Sequence, residues 1–326
     1  MPWNSMKKIE NRFVYYYPYE AKYLDVSESP WQKYDSDGII MASKEYLKYQ
    51  YKIKSRDLYR NGDDSPYYYH PILIANSILG SFNALMNQQE KNTASKVFWK
   101  HIHWLKTNGI KHQNSLVFPF PYALPEFSPY PNWVSGMYQG EILSCFARAF
   151  YLSNDANFLE ICEKVWNSYQ YPIGDKYGFR NTDEYGLWFE EAPKMPANHI
   201  LNGYIFAIWG IWDYYLISGK PELIKTWTIC LDTLRKSLSE YDLGYWSLYD
   251  MKGTITSYYY HKVHIIQLKA LYQMTGDDIF IEYSKKWDRQ LNSFYCRTRK
   301  KFYHLAQVTR RKKLGMYFRN AFQENN

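Results

Sequence analysis

The sequence predicts a mainly α protein: an α/α barrel (toroid) of four helical hairpins, preceded by a small N-terminal β/extended region. Three observations carry this prediction. Apolar helical patterns begin near Pro71, Val134, Ala197 and Tyr260, with 63 residues between successive starts. Polar residues recur in step with them at Asn76, Gln139, Asn202 and His264, spaced 63, 63 and 62 residues. Each pattern ends at a short polar turn and is followed by a second helical pattern. Repeated αα-hairpins at such a period fit a closed ring better than an open solenoid.

Residues 1–65 read as strands or extended arms. FVYYYPYE, GIIMAS and YLKYQYKI are short aromatic or β-branched runs separated by Pro, Asp and Gly. DSDG at 35–38 is a turn signal, and RNGDDSP at 60–66 reads as a loop. The barrel is expected over 66–296. Its hairpin turns are NQQEKN, SNDAN, SGKPE and TGDD at 87–92, 153–157, 218–222 and 275–278. The second helices are TASKVFWKHIHWLKT, FLEICEKVWNSYQ, LIKTWTICLDTLRKSL and IFIEYSKKWDRQLNSF. Long connections at 109–133, 171–196 and 241–259 each precede a first helix, so they are expected at one end. They hold much of the Tyr, Trp, Phe and Pro, and function concentrates in such loops.

Composition narrows the function classes. The hydrophobic fraction of 46% supports a packed core, and aromatics reach 20%, with 35 Tyr against 17 Phe and 12 Trp. Tyrosine joins a flat apolar face to a hydroxyl, which suits a core edge or a sugar-binding groove. The net charge is +8, but nine basic residues and no acid lie between Arg297 and Arg319, leaving the rest of the chain at −1. Residues 297–326 thus form a basic tail, in which RRKKLGMYFRNAF interleaves cations with apolar side chains. It suits a membrane surface, an anionic polymer, or a solvated tail. Four cysteines lack metal or CxxC spacing. With no signal-like segment and no run of about 18 apolar residues, a soluble cytoplasmic protein is expected, with the tail placing it peripherally at the inner membrane face. Nucleic-acid binding lacks a motif.

The candidate chemistry centres on LWFEEAPKMPANHILNG, 187–203. Glu190 and Glu191 are adjacent, so in an extended segment they point to opposite sides and one of them is expected to face a cavity. Trp188 and Phe189 beside them argue for partial burial, which raises a carboxylate pKa and improves it as a base. Pro193 and Pro196 stop regular structure, and a helix is expected to carry Asn198, His199 and Asn202 in its first turns. A second constellation is YYYHKVHIIQL, 258–268, where Tyr260, His261, His264 and Gln267 fall within two turns. The two histidines lack a third ligand of suitable spacing, so a metal is not expected. Tyr249 and Lys252 lie upstream in LYDMKG. In NWVSGMYQGE, Trp133, Tyr138 and Gln139 are expected to enter the same cavity, and Tyr185 precedes the acidic pair.

WFEEAP, HILNGYIFAIWGIWDYY, YDMKG and YYHKVHIIQL, with SGMYQGEILSCFARAF before them, resemble in that order the C-terminal domain of the D-glucuronyl C5-epimerase family. That family includes the heparan-sulfate and heparosan epimerases, and the resemblance covers roughly residues 70–295. It implies inversion of C5 of D-glucuronate to L-iduronate within an acidic polysaccharide, with no cofactor, and a homodimer. It assigns catalytic roles to Glu191, Tyr260 and Tyr249. Where the family has an arginine this chain has Lys252, and where it has a tyrosine this chain has Ala192. Lysine cannot clamp a carboxylate bidentately. Candidates for holding substrate are Lys252, His261, His264, Asn202, Glu190, Trp188, Gln139, Tyr138, Trp133 and Tyr185. Glu190 is expected to be outward or supporting. A polysaccharide lyase, which begins with the same proton abstraction, remains open. So do an inverting hydrolase using Glu191 with Asp183 or Glu184, and a non-catalytic glycan- or membrane-surface protein.

Overall fold

The structure, a computed structural model, describes residues 13, 32–46, 67–124 and 126–323, with side chains to Gln307 and at Thr309. FVYYYPYE beyond Phe13, YLKYQYKI beyond Tyr46 and the RNGDDSP loop lie outside the described residues. The chain divides into two compact units, the first over residues 8–236 and the second from Ser237 onward.

The first unit opens with a three-stranded antiparallel sheet, β1 (Gln32–Tyr34), β2 (Ile40–Ser43) and β3 (Tyr67–Tyr68), in that order. The DSDG signal is the turn between β1 and β2. Asp35 Oδ1 accepts from the backbone N–H of Asp37 and Ile39 at 2.9 and 2.8 Å. Gly38 supplies the left-handed residue at φ 78°.

Three hairpins follow: α1 (Pro71–Met86) with α2 (Lys91–Asn108), α3 (Gly136–Ser153) with α4 (Ala156–Asn167), and α5 (Leu201–Ser218) with α6 (Pro221–Ser237). The first helices are buried nearly all round. Only four of the 16 residues of α1, and four of the 18 in each of α3 and α5, escape burial. The second helices bury one stripe, as Ala94, Phe98, His101, Ile102 and Leu105 do on α2. α3 packs against both α1 and α5. At its crossing with α5 the backbones touch: a Cβ at Gly140 would lie 2.5 Å from Ala207 Cα, and one at Gly210 would lie 2.4 Å from Gly140 O. The turns stop and start as their residues dictate. Asn154 and Gly219 take the left-handed conformation after α3 and α5, and Asp155 caps α4 by accepting from Asn157 N.

The loops between hairpins hold two short ribbons that alternation alone does not reveal, because each strand is three residues long. β4 (Ile110–His112) pairs β5 (Ser115–Val117), and β6 (Arg180–Thr182) pairs β7 (Leu187–Phe189).

In the second unit α7 (Tyr258–Thr275) and α8 (Asp278–Asn292) form the fourth hairpin. Ser257 and Asp277 cap them, and Gly276 ends α7 at φ 68°. Phe294–Gln323 forms one further helix, α9, so the basic tail is helical and begins before Arg297. The expected helix starts at Pro71, Val134, Ala197 and Tyr260 are found at Pro71, Gly136, Leu201 and Tyr258. Among the described residues no helix is long and apolar enough to cross a membrane.

Candidate active site

The acidic segment is built by the β6–β7 ribbon. At its turn Asp183 Oδ1 accepts from Tyr185 N at 3.0 Å and from Trp188 Nε1 at 2.8 Å. Leu187 N donates to Thr233 Oγ1 of α6 at 3.0 Å. A Cβ on Gly186 would sit 2.4 Å from that oxygen, so the ribbon meets α6 with no room for a side chain there. β7 leads into Glu190, whose carbonyl accepts from Gly136 N at 2.8 Å, tying the acidic segment to the start of α3.

Both glutamates are inside, so of the two positions expected for Glu190, outward or supporting, the structure has the supporting one. Glu190 is 2% exposed and Glu191 6%. They point to opposite sides, as adjacent extended residues must, and each side is enclosed. Glu190 Oε1 lies 2.7 Å from His199 Nδ1, and its Oε2 accepts from His199 N at 3.2 Å. His199 Nε2 lies 3.1 Å from Asp183 Oδ2, so one imidazole bridges two carboxylates. Its ring lies 4.3 Å from that of Trp188. His199 adopts φ 52°, outside helical space, and α5 starts only at Leu201. Asn198 and His199 therefore precede the helix expected to contain them. The Glu190 carboxylate takes the His199 N–H that a helix would otherwise use.

Glu191 turns to the other side and packs on α5 at Gly203. A Cβ there would lie 2.1 Å from Glu191 Oε2 and 2.7 Å from its Cβ. Across from it is Glu141 of α3, fully buried, with neither carboxyl oxygen hydrogen-bonded among the described residues. Burial, and then the charge of Glu191, push the Glu141 carboxyl well above the usual carboxylate range. A buried unpaired carboxyl is carried neutral, because the ion would be far costlier. Glu141 was not among the expected site residues, whereas His199 was expected on the helix and Asp183 only as the partner of Glu191 in a hydrolase. For Glu141 a signal exists: it is the one acid in the sequence of α3.

Other candidates are braces. Gln139 Oε1 accepts from Phe118 N at 3.1 Å, while its Nε2 donates to Leu116 O at 3.2 Å and Ser168 Oγ at 2.8 Å. Its amide is thus engaged by backbone and hydroxyl rather than presented to a ligand. Trp133 stacks on Phe120 at 4.3 Å and donates to Tyr122 O. Tyr138 is buried among Phe118 and Phe120. Trp188 is fully buried, against His199 and Tyr204, so it is no open platform for a sugar. Asn202 is buried in the first turn of α5, and Tyr185 is half-buried on the ribbon turn.

In the second unit the structure joins Tyr249 and Tyr260, whose rings meet edge to face at 4.9 Å. Both are half-buried, and Lys252 is exposed on the turn between them. Asp250 Oδ1 holds that turn through Lys252 N and Thr254 N. His261 is a tether, not a free donor. Its Nε2 lies 3.0 Å from Trp287 O, so it donates there, and its Nδ1 accepts from Ser247 N at 3.3 Å and from Ser247 Oγ at 2.8 Å. It stacks on Trp246 at 3.9 Å, and burial pulls its pKa down to about 4. His264 Nδ1 lies 3.2 Å from Ser247 Oγ, and burial pulls this ring to about 3. Both histidines are fully buried.

The profile described as D-glucuronyl C5-epimerase C-terminus matches residues 112–289. An uncharacterised protein of Methanocaldococcus jannaschii is 27% identical over 183 residues, covering 54% of this chain and 58% of that protein. The D-glucuronyl C5-epimerase of Caenorhabditis elegans is 25% identical over 223 residues, covering 61% of this chain and 35% of that enzyme. The chain thus spans less than two thirds of the length of either curated relative. Among solved structures, the cellobiose 2-epimerase of Bacillus thermoamylovorans superposes with a TM-score of 0.49 at 11% identity, covering 67% of this chain and 58% of that one. The unsaturated glucuronyl hydrolase of Bacillus sp. GL1 superposes at 0.46 and 12% identity, covering 67% and 61%.

Proposed function

This chain belongs to the D-glucuronyl C5-epimerase C-terminal family, and from that premise we propose that it is a carbohydrate epimerase inverting C5 of D-glucuronate to L-iduronate within an acidic polysaccharide. The C5 hydrogen lies α to a carboxylate and is a very weak acid. Its removal needs a positioned base and donors that stabilise the enediolate, and inversion needs an acid acting on the other ring face.

We assign Glu191 as the base. The observation that carries this is the division of labour between the two glutamates. Glu190 is held by His199, whereas Glu191 turns to the other side of the segment, packs on Gly203 and faces the neutral Glu141. The C5–H bond breaks toward a Glu191 oxygen, the resemblance to the family assigns to the Tyr260 phenol the proton returned to C5, and both groups return to their starting states by exchange with water. Tyr249, whose ring supports Tyr260, and Lys252 are assigned to the uronate carboxylate.

The test is incubation with heparosan-type polymer in D2O, followed by NMR of the uronate ring. The parent chain incorporates deuterium at C5 without cutting the polymer. Glu191→Gln and Tyr260→Phe each lower the exchange by at least about 10²-fold, the usual scale for a lost acid or base, with circular dichroism unchanged. Normal exchange in both variants removes the assignment. Growth of conjugated-product absorbance would identify β-elimination by a lyase instead.

A further inference from the structure

Helix α9 has one face packed against the rest of its unit and one exposed face, where Tyr295 accepts from Arg299 of the same helix. On the packed face, Cys296 and Tyr303 pack against the cluster of Tyr245, Trp246, Leu248 and Ile255. The Arg299 guanidinium lies 4.3 Å over the Tyr245 ring, and Lys300 Nζ lies 4.9 Å over Tyr258. The Gln307 amide and the Tyr303 hydroxyl both donate to Gly253 O. These contacts recur every three or four residues, as one helical face requires.

On the other face Phe294, Tyr295, Phe302 and Leu305 are 78%, 64%, 68% and 60% exposed. With 3.6 residues per turn they fall within an arc of about 100°. Exposed Arg297 and Lys301 stand beside them. The helix continues through Arg310, Arg311, Lys312, Lys313 and Arg319, and no acid interrupts 297–319. Large apolar side chains held in water on a rigid, anchored helix mark an interaction surface.

Charge selects the occupant. A second copy set against this face would bring cations against cations, with no acid between residues 297 and 319 to pair them. An anionic polymer would satisfy the cations and leave two Phe, a Tyr and a Leu in water. An anionic lipid surface satisfies both: the rings enter the headgroup boundary and the cations stay among the lipid phosphates. We propose that the outer face of α9 docks the protein peripherally on an anionic lipid membrane. This is independent of the epimerase reading.

The test is co-sedimentation of the full chain with vesicles of phosphatidylcholine alone and with added phosphatidylglycerol. The chain is expected to bind only the anionic vesicles, and to release when salt shortens the screening length. The double variant Phe302→Ser/Leu305→Ser, which changes two exposed side chains, keeps the parent melting temperature and loses at least ten-fold in binding. Several results would overturn the proposal: no binding to anionic vesicles, equal binding to both kinds, or full binding by the double variant. Loss of a dimer by the double variant in light scattering would overturn it in favour of a second copy, and loss of heparosan binding alone in favour of the polymer.

Discussion

A single buried carboxyl, that of Glu141, sets a pH dependence that runs against the usual behaviour of acids. Desolvation and the facing Glu191 hold it neutral well above the ordinary range. In the unfolded chain it ionises at about pH 4.3. Stability from this group is therefore whole below that pH, and is lost as pH rises toward the folded-state value. Glutamine keeps the shape and removes the ionisation. Glu141→Gln is expected to melt with the parent near pH 4 and several degrees above it near pH 8, since about 1 kcal/mol moves a chain of this size by roughly 2–4 °C. Parallel melting curves across that range would show that Glu141 carries no such penalty.

Among the elements, the crossing of α3 and α5 is the least forgiving. Gly140 and Gly210 meet backbone to backbone, so a methyl group at either has nowhere to go. Gly80 is also inside a helix, but a Cβ there meets nothing within 4 Å. Gly140→Ala and Gly210→Ala should each destabilise by about 1–3 kcal/mol through overpacking. Gly80→Ala should stabilise by about 0.5–1 kcal/mol, because alanine loses less backbone entropy. Urea titrations of the three variants check the signs. The helices themselves were legible in the sequence, because apolar spacing and the Asn154, Asp155, Gly219, Gly276 and Asp277 turns speak locally. The site was legible only in part. That Glu190 turns inward depends on the left-handed His199, and His261 becomes a tether because Ser247 and Trp287, 14 and 26 residues away, reach it. No local pattern encodes those meetings.

Over the whole molecule, four histidines are buried and held neutral: His70 and His264 at about 3, His101 and His261 at about 4, each pulled down by burial. Their unfolded values lie near 6.5. A lowered folded pKa gives stability that is present above pH 6.5 and lost as pH falls toward 4. The melting temperature is expected to drop steadily from about pH 6.5 to pH 4, and a flat calorimetric profile over that window would contradict it. The opposite slope comes from two buried carboxyls, Glu141 and Asp213, both raised by burial, and is outweighed by the four histidines.

The grip of Gln139 has a bearing on how such a chain diverges. One amide fixes the backbone at Leu116 and Phe118 and the hydroxyl of Ser168, and the bridge between Phe120 and Trp133 closes the loop beyond them. Between those two bridge residues Tyr122 is buried against Tyr68 and His70, and Glu126 O accepts from Lys194 Nζ, just past the acidic segment. A change of length in that stretch therefore reaches the acidic segment as well as the loop itself.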